Sequence, residues 1–308
     1  MYVASLLCKG VFFCAELYNR KKQRGKITMD IQQIIQELQK HQLLPGKVEY
    51  KPLTGGTVSR LYLVNNELVV KLNQPVILEM ESIFLEMYKE IERLPKIYYV
   101  NDDFHFIVYS FIPGITDCKG INKFMLLETL IKEVINHYKQ LSEKSNSWGW
   151  ADETSSTWRE FLLDRVQQSK ILIESQLPEE DHMLVQKILK DNKRYEQWKH
   201  PYLLHGDCGV HNFVVNNGKL SGIIDPAPVW GIPLYDVIYA FCSSPEDLTV
   251  EVLHTAVSEL KMSGKVTTEF LNQEVIIGLY IRLGNCMKHH PHELDQYLHA
   301  WKYWKKQL

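Results

Sequence analysis

The chain has 308 residues, room for one large domain or two modest ones. Lys and Arg number 35 against 37 Asp and Glu, a formal net charge of −2, and 45% of residues are hydrophobic. That balance excludes a strongly basic nucleic-acid binder and a charge-rich disordered chain, and no apolar run is long enough for a membrane-crossing helix.

Residues 1–28 differ from the rest of the chain. They hold six Lys/Arg and one Glu; with the chain at −2 and this segment at +5, residues 29–308 stand at −7. Their basic cluster comes after the apolar stretch, the wrong order for a secretory signal. Either Met29 is the functional start or the segment is a loose extension; a weak membrane-surface anchor is the alternative. The six cysteines (Cys8, Cys14, Cys118, Cys208, Cys242, Cys286) show no C-x-x-C spacing and suit a reducing cytoplasm.

After Met29, Ile31, Ile34, Ile35 and Leu38 fall at helical spacing. Val48–Leu53, Arg60–Val64 and Glu67–Leu72 read as strands, with the glycine-bearing Leu53–Ser59 between the first two and an Asn65-Asn66 turn before the third. A helix is predicted over Val76–Glu92, then strands over Lys96–Val100 and Phe104–Phe111. Pro113-Gly114 closes this sheet-based part. Beyond Gly120 the pattern is helical, over about 122–142, 157–176, 179–197, 234–242, 246–262 and 267–288. One hairpin interrupts it: Phe213–Val215, a turn at Asn216-Asn217-Gly218, and Leu220–Ile224.

The segment richest in chemistry is His205-Gly206-Asp207-Cys208-Gly209-Val210-His211-Asn212, with Asp225 thirteen residues after Asn212. Asn212 precedes the hairpin and Asp225 comes after it. A two-stranded ribbon puts both ends on one side, so carboxamide and carboxylate can share a hard cation such as Mg²⁺. Asp207, one loop away, can orient or deprotonate an attacking hydroxyl. Gly55 and Gly56 read equally as a plain turn or as a loop whose amides approach phosphate. Lys71, among apolar strand residues, points to an anion, with Glu79, Glu81 and Glu86 as candidate partners. Cys208 is expected to be a neutral packing residue, and His289, His290 and His292 surface histidines. Asp236 reads as a carboxylate accepting backbone N–H bonds at the start of its helix.

This order of parts resembles the aminoglycoside phosphotransferase / choline kinase family, with H-G-D in place of the protein-kinase H-R-D. The resemblance covers roughly residues 48–245. It implies an α+β, two-lobed protein-kinase-like fold: a small antiparallel-sheet N-lobe with one helix (29–112, nucleotide-binding) and a larger, mainly helical C-lobe (113–308, catalytic and substrate-binding). It implies Asp207 as base, Asn212 and Asp225 as Mg²⁺ ligands, Lys71 on the α/β-phosphates with Glu81 as its partner, and a phosphate loop at Gly55, Gly56 and Ser59. Ser110, Phe111 and Ile112 would form the hinge facing the adenine. The implied activity is transfer of the γ-phosphoryl group of ATP, or GTP, to a hydroxyl of an aminoglycoside-like or other hydroxylated amine. A metabolite kinase of choline, homoserine, sugar or fructosamine type and an inactive nucleotide-binding module are the alternatives. Asp225 is followed by Pro226-Ala227 rather than Phe-Gly, and only eleven positions separate it from Asp236. That is too short for a protein kinase's peptide platform. Trp148, Trp150 and Trp158 flank an acidic loop, Asp152–Ser156, where this family places substrate contacts. With Glu246, Asp247, Glu293 and Asp295, its Asp152 and Glu153 mark a cleft that would favour a cationic small-molecule acceptor. Neither nucleic acid nor membrane is expected as a partner.

Overall fold

The computed structural model describes residues 29–53, 59–116, 118, 120–141 and 147–308. The expectations for residues 1–28 and for Gly55 and Gly56 fall outside them. Helix α1 (Ile31–Lys40) forms because its four apolar residues make one stripe and the Gln33 side chain accepts the Asp30 N–H at 3.1 Å. Strands β1 (Tyr50–Leu53), β2 (Arg60–Val64), β3 (Leu68–Leu72), β4 (Ile97–Val100) and β5 (Phe106–Ser110) make one antiparallel sheet in the order β1-β2-β3-β5-β4. Asn65 and Asn66, both at positive φ, close the tight β2–β3 turn.

The sheet's period of two sorts its side chains between two helices. Val64, Val70, Leu72, Phe106 and Val108 pack against α1. Leu63, Val69, Ile107 and Tyr109 face the other way, into the cluster that includes Leu78, Phe84 and Leu85 of α2 (Pro75–Met87). Lys71 lies between Val70 and Leu72 and therefore on the α2 face. The N-terminal sheet thus carries α1 besides the single helix expected; the periodic residues from Ile31 to Leu38 are that helix.

The C-terminal region is built on α3 (Lys123–Glu133), α4 (Trp158–Ile173), α5 (Glu179–Lys190), α6 (Leu234–Cys242), α7 (Val250–Val257), α8 (Thr268–His289) and α9 (Leu294–Lys305). Helix α8 is its axis and packs against α4, α6 and α9. Gly278 lets α8 approach α6 closely: a Cβ there would strike Ile238. Helix α7 starts later than the apolar pattern implies because the Thr249 side chain caps it, accepting the Val252 N–H. A four-stranded sheet, β7-β6-β11-β8, was not anticipated. It joins β6 (Trp148–Trp150), β7 (Glu153–Ser155), β8 (Tyr202–Leu204) and β11 (Val229–Gly231). The expected acidic loop is therefore part of a β6–β7 hairpin, with Trp148 and Trp158 buried. The hairpin β9 (Phe213–Asn216) and β10 (Lys219–Ile223) turns at Asn217 and Gly218, both at positive φ. Among the described residues, no helix is long and apolar enough to cross a membrane.

Candidate active site

Strand β8 delivers the chain into His205-Gly206-Asp207, and the loop is held from beneath. The Asp236 carboxylate, fully buried on α6, accepts the N–H of His205 at 2.9 Å and of Gly206 at 3.0 Å, and the Tyr138 hydroxyl at 2.7 Å. These are backbone bonds, as the sequence led us to expect, but they come from the loop and not from Asp236's own helix. Burial pushes the Asp236 carboxyl up to about 6 against the pull of those donors. Gly206 sits at φ +79, and a Cβ there would collide with the Ala227 carbonyl, so only glycine fits.

His205 ties this loop to the one carrying Asp225. Its Nδ1 accepts the Asp207 N–H at 3.3 Å, so the proton belongs on Nε2, which faces the Ile224 carbonyl at 3.1 Å. Its own carbonyl accepts the Ala227 N–H at 2.9 Å. Burial lowers its pKa to about 4, and the ring is neutral at physiological pH.

Asp207 is surrounded by donors. The Tyr239 hydroxyl donates to Oδ1 at 2.6 Å; Asn212 Nδ2 donates to Oδ2 at 2.9 Å, and His211 Nε2 lies 3.1 Å from the same oxygen. Burial alone would raise its pKa, but His211 and the Tyr239 hydroxyl together hold it at about 2. Asn212 also donates to the Asp207 carbonyl at 2.9 Å, and its backbone carbonyl accepts the Ile224 N–H at 3.0 Å. That bond spans the base of the hairpin and sets Asn212 beside Asp225.

Asp225 adopts a left-handed conformation, φ +59, and its carboxylate meets Lys71 Nζ. Lys71 also donates to Glu81 at 2.6 Å, with both side chains buried. Burial works against both charges here: it lifts the Glu81 carboxyl to about 7 and would strip Lys71 of its proton. Carboxylates on two sides of one ammonium decide the matter for Lys71, whose pKa is raised overall, so it stays charged. Of the other two candidate partners, Glu86 pairs with Lys89 at 2.9 Å and Glu79 is buried elsewhere on α2.

The remaining candidates are spread along the N-terminal sheet. Ser59 accepts the Asn73 amide at 2.8 Å. Ser110 exchanges backbone and side-chain bonds with Lys96, Phe111 donates its N–H to the Glu67 carbonyl at 2.7 Å, and Ile112 packs on Gly222. Cys208 is buried, and burial raises its thiol well above the ordinary range. His289, His290 and His292 are exposed, and no group of three or more His, Cys, Asp or Glu side chains among the described residues could hold a metal. His205, Tyr138 and Tyr239 had drawn no role from the sequence. Tyr239 lies three positions after Asp236 on α6, and only that spacing hints that both point at the loop.

The donor set at the hairpin base, one carboxamide and one carboxylate, suits Mg²⁺, a hard cation that keeps part of its shell for water and substrate phosphate. Residues 49–261 match the family described as "Phosphotransferase enzyme family". Solved structures share the fold at low identity. The GDP complex of wild-type aminoglycoside 2'-phosphotransferase-IIIa is 16% identical, with 90% of this chain and 98% of that one aligned and a TM-score of 0.58. The GDP and kanamycin complex of APH(2")-IIia is 15% identical over 90% and 98%, with a TM-score of 0.56. A thermostable mutant of aminoglycoside phosphotransferase APH(4)-Ia, in a ternary complex with ADP and hygromycin B, is 14% identical over 91% and 98%, at 0.54. No curated protein sequence is significantly similar to the chain. The chain belongs to the phosphotransferase enzyme family that its residues 49–261 match.

Proposed function

We propose that this family member transfers the γ-phosphoryl group of ATP to a hydroxyl of a small molecule, with Asp207 receiving the hydroxyl proton. The observation that carries the reading is Asp207 itself. It is an ionised carboxylate fixed by Tyr239, Asn212 and His211, one hairpin away from the Lys71–Glu81–Asp225 cluster. A carboxylate whose pKa lies near 2 is a weak base. Phosphoryl transfer through a loose transition state asks little of a base, because the proton leaves late. Asp207 therefore works chiefly by accepting the hydroxyl's hydrogen bond and aiming its oxygen, and it takes the proton as the new bond forms.

Lys71 is the cation for the nucleotide phosphates, and Glu81 keeps it charged and in place. Asn212 and Asp225 would hold Mg²⁺, which neutralises phosphate charge when bound. The short run from Asp225 to Asp236 leaves no platform for a peptide, so the acceptor is a small molecule. Incubation with γ-labelled ATP, Mg²⁺ and a panel of hydroxyl compounds tests this. Label is expected in an acceptor with the wild type and not with Asp207→Asn. A protein that neither binds nucleotide nor transfers label overturns the reading.

A further inference from the structure

Arginines inside the C-terminal region mostly have partners. Arg194 binds Glu274 at 2.8 Å, Arg282 reaches Glu293 at 3.3 Å, and Arg159 closes on the Leu189 carbonyl. Arg165 differs. Its guanidinium lies over the Trp150 ring, 5.3 Å from the centroid, and its buried Nε meets no acceptor. It makes no ion pair among the described residues. The buried Tyr235 hydroxyl stands beside it and has no hydrogen-bond partner other than that guanidinium. A half-buried cation with no counter-charge is costly unless an anion completes it.

The place matters as much as the charge. Arg165 stands beside both Tyr235 and Tyr239, whose rings are 6.1 Å apart. Tyr239 is the residue that donates to Asp207. Tyr235 and Tyr239 also line a narrow groove between α4, α6 and α8, of about 40 Å³, together with Leu162, Ile238, Ile281 and Arg282. Leu162 and Arg165 are three positions apart and share a face of α4. The groove's one acidic residue, Glu274, has an oxygen already shared by Arg194 and Tyr195. None of the acidic residues that suggested a cationic acceptor lines it, and one of them, Glu293, is Arg282's partner.

We propose that this groove seats the acceptor and that Arg165 is its specificity residue, binding the carboxylate or phosphate of a small hydroxylated acid so that its hydroxyl reaches Asp207. The proposal rests on the kinase reading above and narrows it. A polycation would bring several ammonium groups to a wall that carries Arg282 and two tyrosines, with Arg165 beside it. An anionic acceptor finds a planar donor fork held over Trp150, with the Tyr235 hydroxyl next to it.

The test uses the full chain with Mg²⁺ and a non-hydrolysable ATP analogue, which fills the nucleotide phosphate positions. Glycerate, glycerol, 2-amino-1,3-propanediol and kanamycin are titrated by calorimetry. Glycerate is expected to bind the wild type about ten-fold or more tightly than the other three. Arg165→Gln should erase that preference, and Arg165→Lys should keep part of it, with nucleotide affinity unchanged in both. With ATP, the Arg165→Gln loss should appear mainly in the KM for the acid. Tighter binding of the amine or of kanamycin, equal binding of all four, or a glycerate preference that survives Arg165→Gln would overturn the proposal and leave the kinase reading standing. Failure of that reading looks different: the Mg²⁺–nucleotide analogue binds none of the proteins, and the acceptor proposal falls with it.

Discussion

The site holds two carboxylate environments, and they are stabilised in opposite ways. In the first, Glu81 on α2 and Asp225 beyond the hairpin bracket Lys71 on β3, and charge is balanced by charge around a buried ammonium. In the second, Asp207 stays ionised without a formal cation at its side, held by a tyrosine hydroxyl, an amide and an imidazole. The first arrangement is part of the fold's stability, because no member can be removed without stranding another. The second, in the proposed reading, only has to present Asp207 to a hydroxyl. A single mutation at Lys71 should therefore act first on stability, and one at Asp207 on chemistry.

Lys71→Met should show the larger effect. It leaves Glu81 buried with no counter-charge, which costs about 3–5 kcal/mol when one partner of a buried pair is lost. Lys71→Met with Glu81→Leu removes both charges and should regain much of that loss in urea melts, while transfer stays abolished. A single variant as stable as the wild type would mean that Glu81 is neutral in the fold, and the contrast between the two environments would disappear.

Asp207→Asn should do the reverse. Turnover is expected to fall about 10²–10⁴-fold, since proton affinity and negative charge are lost with the shape kept. Mg²⁺–ATP binding should be retained, and the melting temperature should move little. Near-normal turnover would remove Asp207 from the mechanism. Between these extremes stand the two hairpin-base residues. Asp225→Ala should weaken Mg²⁺–ATP binding strongly and release Lys71, so it should lower both stability and activity. Asn212→Ala removes a neutral ligand and should weaken nucleotide binding less; equal, wild-type-like titrations for both would exclude them as the cation's ligands.

How much of this could be read from the chain depends on how local each signal is. The spacing of Asn212 and Asp225 was readable because Asn217-Gly218 forces a tight turn and the hairpin brings its ends together. Lys71 stood out as a charge in an apolar strand. By contrast, β6, β7, β8 and β11 are three residues each, too short to show a period, and their pairing joins segments up to about eighty residues apart. Asp236 was readable as an acceptor of N–H bonds, but its donors lie 30 and 31 positions upstream, and nothing local identifies them. Helix α9 is amphipathic, but it comes after a histidine-rich break that obscures its start. Arg165 is an ordinary arginine on a helix until its neighbours are known. A sum of acidic residues says nothing about which charges meet the same space.

The smallest expected effect sharpens the comparison at the His205-Gly206-Asp207 loop and its anchor on α6, where a neutral histidine and a buried carboxylate answer pH in opposite senses. His205 has a pKa of about 4 in the fold, below the usual histidine value near 6.5. Between those pH values the unfolded chain carries a proton that the folded chain refuses. Its contribution is thus complete above about 6.5 and is lost as pH falls toward 4, by up to about 3 kcal/mol. Asp236 is raised to about 6 from a carboxylate value near 4, so over nearly the same window the folded chain takes up a proton first and gains stability as pH falls. The histidine's span, from near 6.5 to about 4, is slightly the wider of the two, so it should dominate narrowly, and the wild type should melt only slightly lower at pH 4.5 than at pH 7. Asp236→Asn deletes the opposing contribution. Its loss of melting temperature over that range should be clearly steeper than the wild type's, although its stability at pH 7 is lower by about 1–3 kcal/mol for the impaired loop bonds. Parallel pH profiles for the two proteins would show that Asp236 remains ionised throughout the range, with the backbone donors of His205 and Gly206 outweighing its burial.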